Sequence, residues 1–122
     1  YTSVKPMNLD NSENEKFKFR INYMIKKYEK GKHQVAFSTF NDLKNEPNLD
    51  SKTSHLAKYY LALCYIHEHG VSQNKAYALR TANNFYNNNK YEDAWNIYRE
   101  LTKDDEMKLK ALINMAEYYM YK

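Results

Sequence analysis

The chain has 122 residues, 43% of them apolar, with a formal net charge of +4; that length suits one compact domain with a modest core. Two glycines and two prolines are too few for a turn-rich sheet fold and favour long helices joined by short loops. Lysines are scattered from Lys5 to Lys122 without a run of like charge, which reads as a solvated basic surface, and no apolar run approaches the ~18 residues a membrane helix needs.

Residues 1–12 contain Pro6 and no periodicity, and are expected to form a flexible lead-in to a single helical domain over 13–122. Ser12 and Glu15 have capping-box spacing, predicting a first helix over about 13–30 with Phe17, Ile21, Met24, Ile25 and Tyr28 on one stripe, closed by Gly31 in a left-handed cap. A second helix, about 33–46, carries Val35, Ala36, Phe40 and Leu43 and stops at Pro47. A third, about 52–69, carries Leu56, Tyr60, Leu63, Cys64 and Ile66 and ends at Gly70. The fourth, about 74–88, has Ala78, Leu79, Ala82, Phe85 and Tyr86, and the asparagine run 87–89 breaks it. The fifth, about 90–102, has Tyr91, Ala94, Trp95, Tyr98 and Leu101. After a polar turn, Lys103–Glu106, a sixth over about 107–121 has Leu109, Leu112, Met115, Ala116 and Tyr119. Each stripe needs a neighbour, so successive antiparallel pairs are expected.

An internal repeat underlies these stripes. Ala82 aligns with Ala116 and Phe85 with Tyr119 at an offset of 34. The pattern is a small residue, an aromatic three later, a loop, then Tyr91, Ala94 and Tyr98. Ala36, Phe40, Leu43 and Pro47 echo the second half of this unit, and Leu61, Ala62 and Tyr65 the first. This pattern resembles the tetratricopeptide repeat. The loop "GVSQNKAYAL", longer than usual, resembles the Sel-like variant. Asn89 stands where the family carries a turn glycine, Glu106 where it carries a closing proline, and its early tryptophan is absent. Two segments, 33–46 and 90–103, both read as second helices although two helices separate them, which leaves open which half is out of phase.

The resemblance implies an all-α, right-handed α-α hairpin solenoid of about six helices, acting as a non-catalytic scaffold or adaptor for a protein or peptide partner, with no cofactor. In such arrays first helices line a groove, where asparagines and cations hold acidic or carboxylate-bearing segments. The register places Arg80, Asn83 and Asn87 on one face and Lys110 and Asn114 on the next, with Tyr59, Tyr60, Leu63 and His67 on the preceding helix. Leu79 stands where carboxylate-binding members carry a lysine. The plainer alternative is solvent exposure for the polar residues and core packing for the other four. Two further readings are nucleic-acid binding through lysines and stacked tyrosines, and a structural fragment of a longer repeat protein.

"HEHG", with Cys64 three residues before His67, raises a metal site. His67 and His69 lie about 200° apart on a helix, whereas zinc pairs on helices take spacings of three or four. Cys64 and His67 have that spacing but lack evident third and fourth ligands, so the stretch reads as a helix C-terminus whose histidines suit the dipole and Cys64 as a buried small hydrophobe. Asp104, Asp105 and Glu106 read as a solvated cluster, and no nucleophile–base order or phosphate-binding glycine loop appears. The chain starts at Tyr1 without a visible signal peptide, so a soluble, cytoplasmic protein or a processed exported form is expected.

Overall fold

The computed structural model describes the backbone of residues 4–103 and 105–121, and the side chains of 12–103, 108–117, 119 and 120. Among these are six helices and no strand: α1 (Val4–Glu29), α2 (His33–Leu43), α3 (Ser51–His67), α4 (Lys75–Asn87), α5 (Tyr91–Leu101) and α6 (Asp105–Tyr121). The all-α class follows from the sequence as read. The chain divides into two compact units, Tyr1–Leu61 and Ala62–Lys122, with the boundary inside α3.

In the first unit, α1 packs on α2. It begins at Val4 rather than near 13, so the Ser12–Glu15 capping box is corrected: both residues lie inside the helix, and residues 4–12 of the expected lead-in are helical. Pro6 permits this because it falls in the first turn, where no backbone N–H is needed. Residues 13 and 14 serve tertiary contacts instead. Asn14 Nδ2 donates to Asp50 Oδ2 at 3.0 Å, Asp50 N donates to Asn14 Oδ1 at 2.9 Å, and Asn48 Nδ2 donates to Glu13 Oε2 at 2.8 Å. Asp50 also caps α3, its Oδ1 accepting from Thr53 N at 2.7 Å. The Thr53 amide, then Asn14, hold the Asp50 carboxyl down to a pKa of about 2.

The turns after α1 and α4 share one backbone solution. Gly31 has φ 89° and Asn89 φ 65°, so the position of the missing turn glycine is filled by a residue that tolerates the left-handed region. Lys32 N donates to Lys27 O at 2.9 Å, and Lys90 N to Phe85 O at 2.8 Å. The helices that follow start 58 residues apart, at His33 and Tyr91, and bury the same positions: Ala36, Thr39, Phe40 and Leu43 in α2, and Ala94, Ile97, Tyr98 and Leu101 in α5. "GKHQVAFSTFNDL" and "NKYEDAWNIYREL" are therefore equivalent, which is why 33–46 and 90–103 both read as second helices.

In the second unit, α4 packs on α5, and α6 packs on both. Ala62 on α3, Ala82 on α4 and Ala94 on α5 are buried, as expected, but Ala116 is exposed. The expected α6 stripe is likewise corrected: Leu109, Leu112 and Tyr119 are 69, 44 and 66% exposed. The inward face of α6 carries Ala111, Asn114 and Met115. Ala111 lies about 140° around the helix from Ala116. The 34-residue offset thus joins a buried alanine to an exposed one, whereas the 58-residue offset joins buried to buried. Val35, expected in the α2 core, is also exposed. Of the expected turn at Lys103–Glu106 and its acidic cluster, Asp104 and the side chains of Asp105 and Glu106 lie outside the described residues.

Ala94 is 1% exposed, so Ala94→Leu overpacks the α5 crossing and lowers stability by about 1–3 kcal/mol. Ala116→Leu, on an exposed position, changes it by no more than about 0.5 kcal/mol. Denaturant melts of both variants check the register, and the reverse order of effects refutes it.

Candidate functional site

Helix α4 starts where Asn74 Oδ1 accepts from Tyr77 N at 3.0 Å. It buries Ala78, Thr81, Ala82 and Phe85. Asn83, Tyr86 and Asn87, at spacings of three and four, form an adjoining face. With Tyr98 of α5 and Asn114 and Glu117 of α6, they line an open pocket of about 220 Å3.

Its floor is a hydrogen-bonded trio. Tyr98 OH donates to Asn83 Oδ1 at 2.6 Å, and Asn114 Nδ2 donates to the same oxygen at 2.8 Å. Both lone pairs of Asn83 Oδ1 are thereby used, while its Nδ2, the Oδ1 of Asn114 and the exposed amide of Asn87 take no part in these bonds. Burial, then the neighbouring Tyr86 and Glu117, push the Tyr98 phenol up to a pKa of about 12, so it stays protonated as the donor. At the rim, Tyr86 OH donates to the Glu117 carbonyl at 3.5 Å.

The first unit shows what the fold alone asks for. Subtracting the 58-residue offset sets Ile25 against Asn83 and Phe40 against Tyr98; α3 and α6 start 54 residues apart and bury Ala57 and Ala111 at that same offset, which sets Tyr60 against Asn114. No amide stands at any of these three positions in the first unit. Phe40 instead meets Tyr28 and Tyr60, at ring-centroid distances of 6.3 and 5.7 Å.

The residues expected on a binding face separate accordingly. Asn83, Asn87 and Asn114 come together in the pocket. Arg80 and Lys110 are exposed and do not line it; the Arg80 guanidinium lies 5.9 Å from the Tyr77 ring centre. Tyr59 and Tyr60 contact each other in the aromatic cluster of the first unit, 5.4 Å between centroids. Leu63 is half-buried, and His67 Nε2 lies 3.0 Å from Glu100 Oε1 on α5. The sequence reading did not name Tyr86, Tyr98 and Glu117 for the site. The signals were Glu117 three residues beyond Asn114 and a tyrosine at the second-helix aromatic position.

The other chemistry-bearing residues are engaged elsewhere. Cys64 is buried, which pushes its thiol up to a pKa of about 12 and makes it a poor thiolate ligand or nucleophile. The rings of His67 and His69 are 5.4 Å apart. Among the described residues no three His, Cys, Asp or Glu side chains gather as a metal site, and no helix is long and apolar enough to cross a membrane. The pocket offers neutral donors and acceptors and one carboxylate, the equipment of hydrogen-bonded recognition.

No family model, no curated protein and no solved structure matches the chain.

Tyr98→Phe removes one bond yet leaves Asn83 Oδ1 paired with Asn114, so it costs about 0.5–1.5 kcal/mol. Because the folded phenol has the raised pKa, its contribution is complete below the unfolded value of roughly 10 and is lost as pH rises towards 12. Melting temperatures between pH 9 and 12 should therefore fall more steeply for the wild type than for Tyr98→Phe; parallel slopes would refute the buried phenol.

Proposed function

We propose that the chain is a non-catalytic protein-binding scaffold of the tetratricopeptide kind, an α-α hairpin solenoid that takes an extended peptide segment in the pocket formed by α4, α5 and α6. The observation that carries this reading is the hydrogen-bonded trio Tyr98–Asn83–Asn114 at positions where the first unit carries Phe40, Ile25 and Tyr60 and no amide. Internal hydrogen bonds contribute only about 0.5–1.5 kcal/mol net each, and an apolar trio of similar size would hold the helices as well without desolvating amides. Polar groups kept at that spot supply something besides stability. A peptide backbone presents alternating N–H and C=O groups, and asparagine, with a donor and an acceptor on one planar amide, pairs with both.

The nucleic-acid reading finds less support at this site. Its formal charge is the carboxylate of Glu117, and no lysine or arginine is among the described lining residues. Phosphate binding relies on cations.

The test begins with a partner captured from the native source. Asn87→Ala and Asn114→Ala should weaken its binding by about 1–3 kcal/mol each, measured by calorimetry, while Lys18→Ala, on α1, leaves it unchanged. Asn87 is exposed, so its loss leaves folding intact. Should both asparagine variants bind like the control, the pocket is not the binding site.

A further inference from the structure

The sign of the pocket runs against an acidic partner. Its asparagines and tyrosines are neutral, and Glu117 is its one formal charge among the described lining residues. Glu117 has no ion-pair partner among the described residues. Arg80 lies over the Tyr77 ring, and Lys110 is seven residues before Glu117, about 10 Å along α6. Neither cation lines the site.

Resting on the peptide-binding reading above, we infer that this pocket selects a lysine or arginine side chain of the bound segment, with the Glu117 carboxylate as its ion-pair partner and the Tyr86 ring as a cation-binding wall. Three features converge on a cation. The free Oδ1 of Asn114 is an acceptor three residues from Glu117, on the same face of α6. The Tyr86 hydroxyl, directed to the backbone carbonyl of Glu117, holds an aromatic ring against that turn of α6; both residues line the pocket, and aromatic faces attract cations. The space, about 220 Å3, equals the liquid volume of roughly seven waters, room for a four-carbon stem and its ammonium. The Tyr98 phenol agrees with this: after burial and Tyr86, the Glu117 charge contributes to its raised pKa, so the field of that carboxylate reaches the floor.

The amides and the carboxylate divide the task. Asn83, Asn87 and Asn114 grip backbone of any sequence, and Glu117 reads one side chain. An ion pair at a partly exposed site is worth up to about 1 kcal/mol, so it discriminates about fivefold.

The experiment is a titration of 15N-labelled full chain, at low salt, followed through the side-chain amide signals of Asn83, Asn87 and Asn114. The probes are acetylated, amidated pentapeptides of four alanines around a central lysine, norleucine or glutamate, together with butylammonium alone. The lysine peptide should move these signals with about fivefold tighter binding than the norleucine peptide and more than that over the glutamate peptide. Glu117→Gln should erase that preference while leaving the norleucine peptide unchanged, and Glu92→Gln, on an exposed α5 position, should change neither. Equal binding of the lysine and norleucine peptides overturns the selection of a cation and leaves the peptide-binding reading standing. Silence of the amide signals with every peptide overturns both. Butylammonium moving the signals as strongly as the lysine peptide overturns the claim that the cation arrives on a peptide.

Discussion

Two fully buried alanines, one in each unit, set the packing on which the rest of the structure depends. Ala36 and Ala94 are 0 and 1% exposed, and a side chain of one carbon lets the preceding helix come near. The left-handed residue five positions earlier, Gly31 or Asn89, aims the chain into that crossing. The aromatic four residues later, Phe40 or Tyr98, fills the space beside it, and Leu43 or Leu101 closes the end. Interiors pack at crystal-like density, so the aromatic ring is fixed once the alanine is fixed. In the second unit its para position reaches Asn83 on α4.

A phenol at that position makes demands that a phenyl ring does not. Its buried hydroxyl needs a partner, Asn83 supplies the oxygen, and Asn114 from α6 takes the second lone pair. The network orders three helices through one atom. Its effect is on direction more than on strength: Asn83 and Asn114 are each turned by an internal bond, which fixes the orientation of the groups they leave open.

Much of this was legible in the chain. The helix content, the left-handed positions, the buried alanines 62, 82 and 94, and the two second-helix signatures follow from residue type and spacing. What misled was periodicity on α6. Its inward face carries Asn114 between Ala111 and Met115, whereas Leu109, Leu112 and Ile113 make the stronger apolar stripe on the exposed side. Hydrophobic spacing finds the most apolar face, and a face that buries polar groups escapes it. The start of α1 failed for a different reason: a serine three residues before a glutamate also occurs within helices, and Pro6 ends no helix when it sits in the first turn. The register implied by the repeat resemblance named Asn83, Asn87 and Asn114, which line the pocket, and with them Arg80 and Lys110, which do not, each one turn away from an asparagine on its own helix. Only the third helix, α5, supplying Tyr98 from across the crossing, separates lining residues from neighbours.

The histidines of α3 bear on how firmly that floor is held. His67 pairs with Glu100 at 3.0 Å, and Lys103 Nζ lies 3.0 Å from the other carboxylate oxygen. Burial works to raise the Glu100 pKa, but Lys103 and His67 together hold it below the ordinary value, so the carboxylate remains charged through the range in which an imidazole titrates. The end of α3 is further fastened by Asn74 N donating to Tyr65 O at 3.0 Å, by Gln73 Nε2 donating to Ile66 O at 3.0 Å, and by the Tyr65 and Tyr77 rings 4.5 Å apart. Glu100 and Tyr98 are two residues apart on α5 and therefore point about 200° from one another. One face of α5 is tied to α3 while the opposite face carries the phenol that orients Asn83. His67 and Glu100 are both partly exposed, which limits the pair to under about 1 kcal/mol. Its effect is angular: contacts on two opposite sides of α5 favour the one orientation in which the Tyr98 hydroxyl meets Asn83 Oδ1.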